Sequence, residues 1–295
     1  MGTRQIYYCV GSESSLQGAN LSALRRAIPL SVRKFLLPLY VRALDISDMA
    51  ARRREMIPPR TMNFVGDGDY KAVGLEFRNL FTQYGGLKPD DRVLDVGCGI
   101  GRMANPLTDY LSGRGEYVGF DIVKKGVEWC QSHITPRYPN FHFYHSNVRN
   151  KFYNPEGVYE ASSYRFPHED GGFDFVFLTS VFTHMYPADL ENYLKEISRV
   201  LKKGAKCFIT MFLLNEESQD LIHQGLSSQN FVYKLEGCVT ANLESPEASI
   251  AFEETYMRRL FASLDLSLEQ PIHYGRWCGR KEFLSYQDVV IATKN

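Results

Sequence analysis

From Arg92 onward the chain alternates short apolar runs with longer stretches in which apolar residues recur every three or four positions. Arg92–Val96, Glu116–Asp121 and Phe141–His145 are short runs of strand character. Residues 173–179, Phe-Asp-Phe-Val-Phe-Leu-Thr, are almost wholly apolar, as expected of a strand buried on both faces. A fifth strand is expected over 205–214. The intervening stretches read as helices. One runs from the glycine-rich turn after Val96 to about Leu111, and a second carries Val123, Val127 and Trp129. A third starts near Ala188, places Leu190, Leu194, Ile197 and Leu201 on one face, and stops at Gly204. Strands alternating with helices predict a parallel sheet covered on both faces. Residues 266–272 and 286–293 read as two further strands. About a dozen residues join them, with no helical pattern, too few for an ordinary parallel crossover. The last strand is therefore expected to return antiparallel beside its predecessor.

The first 65 residues follow another pattern and read as an N-terminal helical extension. Leu21, Leu24, Ile28, Val32, Phe35 and Leu39 form an amphipathic stripe that Pro29 and Pro38 must kink or split. Residues 21–55 hold eight Arg or Lys against three Asp or Glu, a local net of +5. Two readings follow: a basic amphipathic element in peripheral contact with an anionic membrane, or a helical arm packed on the domain with its arginines in water. Asp69 is placed to cap a helix bearing Val73, Phe77, Leu80 and Phe81 that ends at Gly85-Gly86. The preceding Gly66-Asp67-Gly68-Asp69 lacks the later acidic ligand of a calcium loop, so it reads as turn and cap. Residues 66–295 then form one domain. Insertions at about 150–167, with Tyr153, Tyr159 and Tyr164, and at 215–243 leave the sheet where strands end, so they are positioned to cover an acceptor.

Composition narrows the function. The 34 Lys and Arg cancel the 34 Asp and Glu, so no global field draws the chain to nucleic acid, and a small or uncharged partner fits better. Cys9, Cys98, Cys130, Cys207, Cys238 and Cys278 show neither C-x-x-C pairs nor metal-ligand spacing, as expected of reduced thiols in a cytoplasmic protein without structural metal. His142 and His145 alternate on a strand and read as sheet residues. The opening residues show no secretory pattern, and no apolar run is long enough to span a bilayer.

The chemistry concentrates in Val93-Leu94-Asp95-Val96-Gly97-Cys98-Gly99-Ile100-Gly101-Arg102. An apolar strand runs into three alternating glycines and then a helix. Glycine lets the main chain turn tightly and lets a ligand approach it, since no Cβ intervenes. The helix start offers unpaired N–H groups to an anionic ligand group. Asp95 stands at the carboxyl end of its strand, where ligands bind in open α/β sheets. Asp121 ends the next strand, 24 residues after Gly97, at the spacing of an acid that accepts from ribose hydroxyls.

These residues resemble the class I S-adenosylmethionine-dependent methyltransferases, whose first motif is an acid followed by G-x-G-x-G. Asp95, Gly97, Gly99 and Gly101 match it position by position. The resemblance covers roughly 91–214 and implies a Rossmann-like doubly wound α/β sheet, mostly parallel with an antiparallel last strand. It implies S-adenosyl-L-methionine as cofactor, with Asp95, Gly97, Cys98, Gly99 and Gly101 around its methionine part. Asp121 would then hold the ribose and Ile122 lie against adenine. Asn147, with Val148 beside it, stands where the family often has an Asp that contacts the adenine amino group. Asp174 and the strand ending at Leu178-Thr179-Ser180 resemble the fourth motif, with Thr179 at the cofactor. A nicotinamide-dependent oxidoreductase would space its last glycine one residue further on and leave Asp95 without a role. A non-catalytic adaptor on the same fold is the other reading.

Methyl transfer from a sulfonium is a direct displacement, so alignment supplies much of the catalysis, and a base is needed only where the nucleophile must lose a proton. Residues 179–186 leave the fourth strand at its carboxyl edge. His184 there is the candidate base, because histidine titrates near neutrality, and Tyr186 could line the same pocket. The alternative for His184 is a capping or loop-holding role. His273, Arg276 and Trp277 fall between the last strands, where loop packing explains them best. The expectation is a methyltransferase for a small-molecule or lipid-like acceptor, by O-methylation.

Overall fold

A computed structural model describes residues 39, 41–47, 49, 56–64 and 68–295. The amphipathic stripe up to Phe35, together with Pro29, Pro38, Gly66 and Asp67, lies outside the described residues. Residues 41–47 are helical, and Asp45 accepts the Arg60 amide at 2.8 Å.

The strands are β1 Arg92–Val96, β2 Glu116–Asp121, β3 Phe141–His145, β4 Phe173–Leu178, β5 Leu201–Met211, β6 Leu213–Leu214, β7 Tyr233–Leu235, β8 Cys238–Thr240, β9 Ile250–Glu253, β10 Leu266–Leu268 and β11 Asp288–Lys294. From residue 68 onward the α-helices are α1 Tyr70–Gln83, α2 Ala104–Leu107, α3 Lys124–His133, α4 Pro187–Val200, α5 Glu216–His223 and α6 Glu254–Ser263. Seven strands form the main sheet in the order β10-β11-β5-β4-β1-β2-β3. The block from β3 to β5 is parallel, and β11 runs antiparallel to both of its neighbours, as the short β10–β11 connection predicts. Chain order reverses at β1, which lies between β2 and β4. The carboxyl ends of β1, β2 and β4 therefore flank one crevice at the switch point, where such sheets bind ligands.

Strand alternation sends Leu94, Val96, Val118 and Phe120 to one face of the sheet, under Leu194 and Ile197 of α4 and Phe261 of α6. Val93 and Tyr117 go to the other face, under Phe77 and Phe81 of α1, Leu107 of α2 and Cys130 of α3. Asp95 and Gly119 share the face of Val93 and Tyr117 by the same alternation, and the register pairs Asp95 with Gly119.

Several boundaries differ from the sequence expectation: β10 stops at Leu268 rather than Ile272, β5 begins at Leu201 rather than 205, and three other differences have visible causes. The helix after the glycine loop is a single turn, and turns continue to Leu111. Its Pro106 has no N–H for the Arg102 carbonyl, and Gly74 of α1 packs against that carbonyl instead. Next, α4 ends at Val200, and Gly204, in the left-handed conformation, lies inside β5 rather than at a helix stop. Finally, β5 ends at Met211, before the expected Leu214. The Leu213 amide donates to the buried Asp288 carboxylate at 2.7 Å, and β6 leaves for a second sheet. That sheet, in the order β6-β9-β8-β7, has its own core of Phe212, Phe231, Val239, Ala251 and Trp277. Trp277 is wholly buried and donates Nε1–H to Asp288, so it packs the loop as expected.

Candidate active site

β1 delivers its chain into Gly97, Gly99 and Gly101, which have φ of +88°, +56° and +77°. An L side chain rarely adopts this left-handed conformation, so the turn requires glycine at alternate positions. The amides of Gly97 and Cys98 donate to the Phe120 carbonyl at 2.9 and 3.0 Å, which ties the turn to β2. The Gly99 amide donates to Asp121 Oδ2 at 2.7 Å, and Val123 donates to Oδ1 at 2.7 Å. Cys98 is buried, its Cβ against the bare Cα of Gly119. The loop and the acid that ends β2 are thus one hydrogen-bonded unit.

Both acids are almost fully buried. Burial pushes Asp95 up to about 8, with Tyr117 pulling the other way and nearby Asp121 adding to the rise. Burial likewise raises Asp121, against the amides of Val123 and Gly99. Asp95 Oδ2 accepts from Tyr117 Oη at 2.5 Å, while the buried Oδ1 has no hydrogen-bond partner among the described residues. A buried carboxylate oxygen without a donor is costly unless a ligand supplies one. The ammonium of a methionine moiety is such a donor, and Asp121 retains lone pairs for ribose hydroxyls. The residues present fit S-adenosylmethionine.

The remaining expected contacts flank this unit. Ile122 is half-buried, and its carbonyl is 3.2 Å from His145 Nε2. The Ser146 amide donates to the Asp121 carbonyl, which brings 146–148 alongside the end of β2. Asn147 Oδ1 is taken by Asn154 Nδ2 at 3.1 Å, and Val148 is buried in the core. This strip is pinned to the first insertion rather than presented openly. Thr179 is half-buried just beyond β4, followed by Ser180 with φ +59°.

His184 ends the short helical turn Phe182–His184. Its Nδ1 lies 2.8 Å from the Glu247 carbonyl. A carbonyl only accepts, so Nδ1 carries the proton and Nε2 holds the lone pair. Burial lowers the imidazole below its ordinary range. The Tyr153 ring stands edge-on to it at 5.7 Å. Glu247 belongs to the turn Pro246–Ala248, and its side chain takes the Lys151 backbone amide. His184 therefore sits where the insertion after β3 meets the segment after β8. Among the described residues no cluster of His, Cys, Asp and Glu could hold a metal ion.

Several residues that matter here escaped the sequence reading. A Cβ on Gly97 would run into Val181 Cγ2, so the chain after β4 presses on the loop. A Cβ on Gly126 would lie 2.5 Å from the Gly99 carbonyl oxygen, so α3 presses from the other side. A glycine inside a helical pattern was the available signal for that approach. The Ser180 amide donates to Thr210 Oγ1 at 2.8 Å, and both hydroxyls donate to Gln287 Oε1, at 3.1 Å from Ser180 and 2.6 Å from Thr210. That network spans residues 107 positions apart and left no sequence signal.

Comparison with known proteins identifies the domain and its fold. Residues 94–209 match a family model described as a methyltransferase domain. The chain is 27% identical over 151 residues to phosphoethanolamine N-methyltransferase 2 of Caenorhabditis elegans, covering 51% of this chain and 30% of that protein. It is 28% identical over 132 residues to the sterol 24-C-methyltransferase of Schizosaccharomyces pombe, covering 45% and 30%. With 2-phytyl-1,4-naphtoquinone methyltransferase of Trichormus variabilis it shares 27% over 146 residues, covering 49% and 57%. The chain thus matches less than two thirds of each relative's length. A crystal structure from Pyrococcus horikoshii OT3 has the same fold, with TM-score 0.54 and 20% identity over 80% of this chain and 95% of that one.

Proposed function

We propose that the chain, whose residues 94–209 match a methyltransferase domain, is a class I S-adenosylmethionine-dependent methyltransferase that methylates a small-molecule or lipid-like acceptor. The observation that carries the reading is Asp95 Oδ1, buried and without a donor among the described residues, beside a loop of three left-handed glycines. S-adenosylmethionine, when bound there, supplies an electrophilic methyl group. Asp95 and the bare main chain would orient its methionine part and Asp121 its ribose, with Ile122, Asn147 and Val148 toward the adenine and Thr179 at the β4 edge of the loop.

His184 is the group we assign to the acceptor's proton. Its Nε2 lone pair is fixed by the Nδ1–H bond to Glu247, and burial keeps the ring neutral, which suits deprotonation of a hydroxyl and hence O-methylation. Carbon methylation is the second reading, favoured by the sterol 24-C-methyltransferase relative, and the same base would serve an acidic carbon. The relatives' substrates, a sterol, a naphthoquinone and phosphoethanolamine, support a small or lipid-like acceptor. Exposed Leu39, Ile46 and Met49, spaced to share a helical face, support peripheral membrane contact through residues 21–55. No helix among the described residues is long and apolar enough to cross a membrane. Cys98, Cys130, Cys207, Cys238 and Cys278 are buried free thiols, which supports a reducing, cytoplasmic setting.

The test is a screen of sterol, quinone and amino-alcohol acceptors with methyl-labelled cofactor, read as labelled product. Transfer to one class with the label on oxygen supports the full reading. Label on carbon replaces the O-methylation assignment, and cofactor binding without transfer to any acceptor favours the adaptor.

A further inference from the structure

Tyr117 is one of the largest fully buried side chains in the molecule, and it lies on the strand beside the glycine loop. The register pairs Tyr117 with Val93 and Asp95 with Gly119, so the phenol reaches Asp95 diagonally, past position 119. That path exists because residue 119 is glycine. A Cβ there would stand 3.0 Å from Tyr117 Cε1, 3.1 Å from its Oη and 2.8 Å from Cys98 Cβ. The ring is fixed from the other side by Phe141, stacked at 4.9 Å and 15°, and by Phe143 at 5.4 Å. Its hydroxyl ends 2.5 Å from Asp95 Oδ2, with both groups buried.

We propose that Tyr117 is a positioning residue for cofactor binding: by occupying Oδ2 it orients the Asp95 carboxylate so that Oδ1 alone meets the ligand's ammonium group. The inference rests on the reading of Asp95 as the acid that holds the methionine part. It goes beyond that reading by assigning Tyr117, and the empty position at Gly119, to cofactor affinity. A buried carboxylate held by one donor has a fixed orientation and a stabilised charge; without that donor it rotates and ionises less readily. The phenol has an ordinary packing role as well, which Phe would preserve. The hydroxyl is the part that acts on the ligand.

The experiment is calorimetric titration of the full chain with S-adenosylhomocysteine, which carries the same amino-acid end, between pH 6.5 and 9.5. The proteins are the unsubstituted chain, Tyr117→Phe, Asp95→Asn and the double variant. Tyr117→Phe should bind about tenfold more weakly at pH 7 while keeping its circular dichroism spectrum, with at most a few degrees lost in Tm. The deficit should shrink toward pH 9.5, where Asp95 ionises without the phenol's help. The ligand's own amine titrates identically in every arm and cancels from the comparison. In the Asp95→Asn background, Tyr117→Phe should add less than twofold, because the acid it serves is gone. Gly119→Ala keeps the hydroxyl but crowds both its path and Cys98; it supports the proposal, should Tyr117→Phe not fold, where its deficit shrinks toward pH 9.5, since a displaced loop alone would weaken binding equally at every pH.

Unchanged affinity in both Tyr117→Phe and Gly119→Ala overturns the proposal while leaving the methyltransferase reading intact. A deficit equal at all pH values, and additive with Asp95→Asn, reduces Tyr117 to packing and also overturns it. Absence of binding by the unsubstituted chain overturns the proposal together with the reading beneath it.

Discussion

Gly97 and Val181 share the space of a single side chain: a Cβ added to Gly97 would collide with Val181 Cγ2. Val181 reaches there because Ser180 turns the chain after β4 with φ +59°, a conformation held by the hydrogen bonds that its amide donates to Thr210 Oγ1 and its hydroxyl donates to Gln287 Oε1. The glycine loop is therefore shaped by β4, β5 and the residue before β11 as well as by its own sequence. Gly97→Ala should weaken S-adenosylhomocysteine binding about tenfold or more in calorimetry, from the collision and from the strain of an alanine at φ +88°. Adding Val181→Ala should restore part of the loss, since it relieves only the collision. Full recovery would show that the backbone conformation is unimportant.

Gly99→Val tests the next position. The Gly99 amide donates to Asp121 and its φ is +56°, a conformation a β-branched residue rarely adopts, so valine there would distort the loop proposed to hold the ligand. Cofactor binding should vanish with the fold largely retained in circular dichroism. Unchanged affinity would remove this loop from the site.

His184→Ala should retain cofactor affinity and lose about 10² or more in turnover, the range of a general base. Burial lowers the imidazole, so it loses its proton below the ordinary value of about 6.5. Turnover should rise with pH with its midpoint below that of a free imidazole, and the rising limb should disappear in His184→Ala. A rate that climbs only above pH 8 would assign the base elsewhere.

Asp95 predicts a conflict between stability and function. Its carboxyl titrates near 8 in the folded chain, against about 3.9 when unfolded. A raised acid stabilises fully below the unfolded value, and that contribution is lost as pH rises through about 8. Asp95→Asn escapes the loss. Without ligand, its Tm should exceed that of the unsubstituted chain by roughly 2 °C or more at pH 8, with the gap closing toward pH 5. Cofactor affinity should fall in the same variant. A lower Tm at pH 8 would contradict the assignment.

The strands from β1 to β4, and the antiparallel return of β11, were legible because runs buried on both faces leave little choice of element or partner. The acids and glycines were legible because a tight turn that exposes main chain admits few residue types. What failed was governed by long-range chemistry. β5 ends early because Asp288, 75 residues further on, takes the Leu213 amide. The helix α6 escaped notice although Met257 and Phe261, both buried, stand four apart. The diagonal from Tyr117 to Asp95 required the register of two strands, and the placement of His184 required a carbonyl 63 residues away.

Asp288 also anchors the second sheet, accepting from Leu213, Gly275 and Trp277 with Arg280 alongside. Asp288→Ala would leave those buried donors unmatched and the Arg280 cation without its buried partner, at a cost of about 3–5 kcal/mol. A Tm lower by roughly 6 °C or more is expected, with faster amide exchange in β6 and at Trp277. Unaltered exchange there would mean that the second sheet is held by its apolar core alone.

The most direct test of the central claim is calorimetric titration of the full-length chain with S-adenosylhomocysteine at pH 8. The account predicts one site per chain, with micromolar affinity lost in Gly99→Val and weakened in Asp95→Asn. Absence of heat with the unsubstituted chain up to millimolar ligand, or equal affinity in all three proteins, would contradict it.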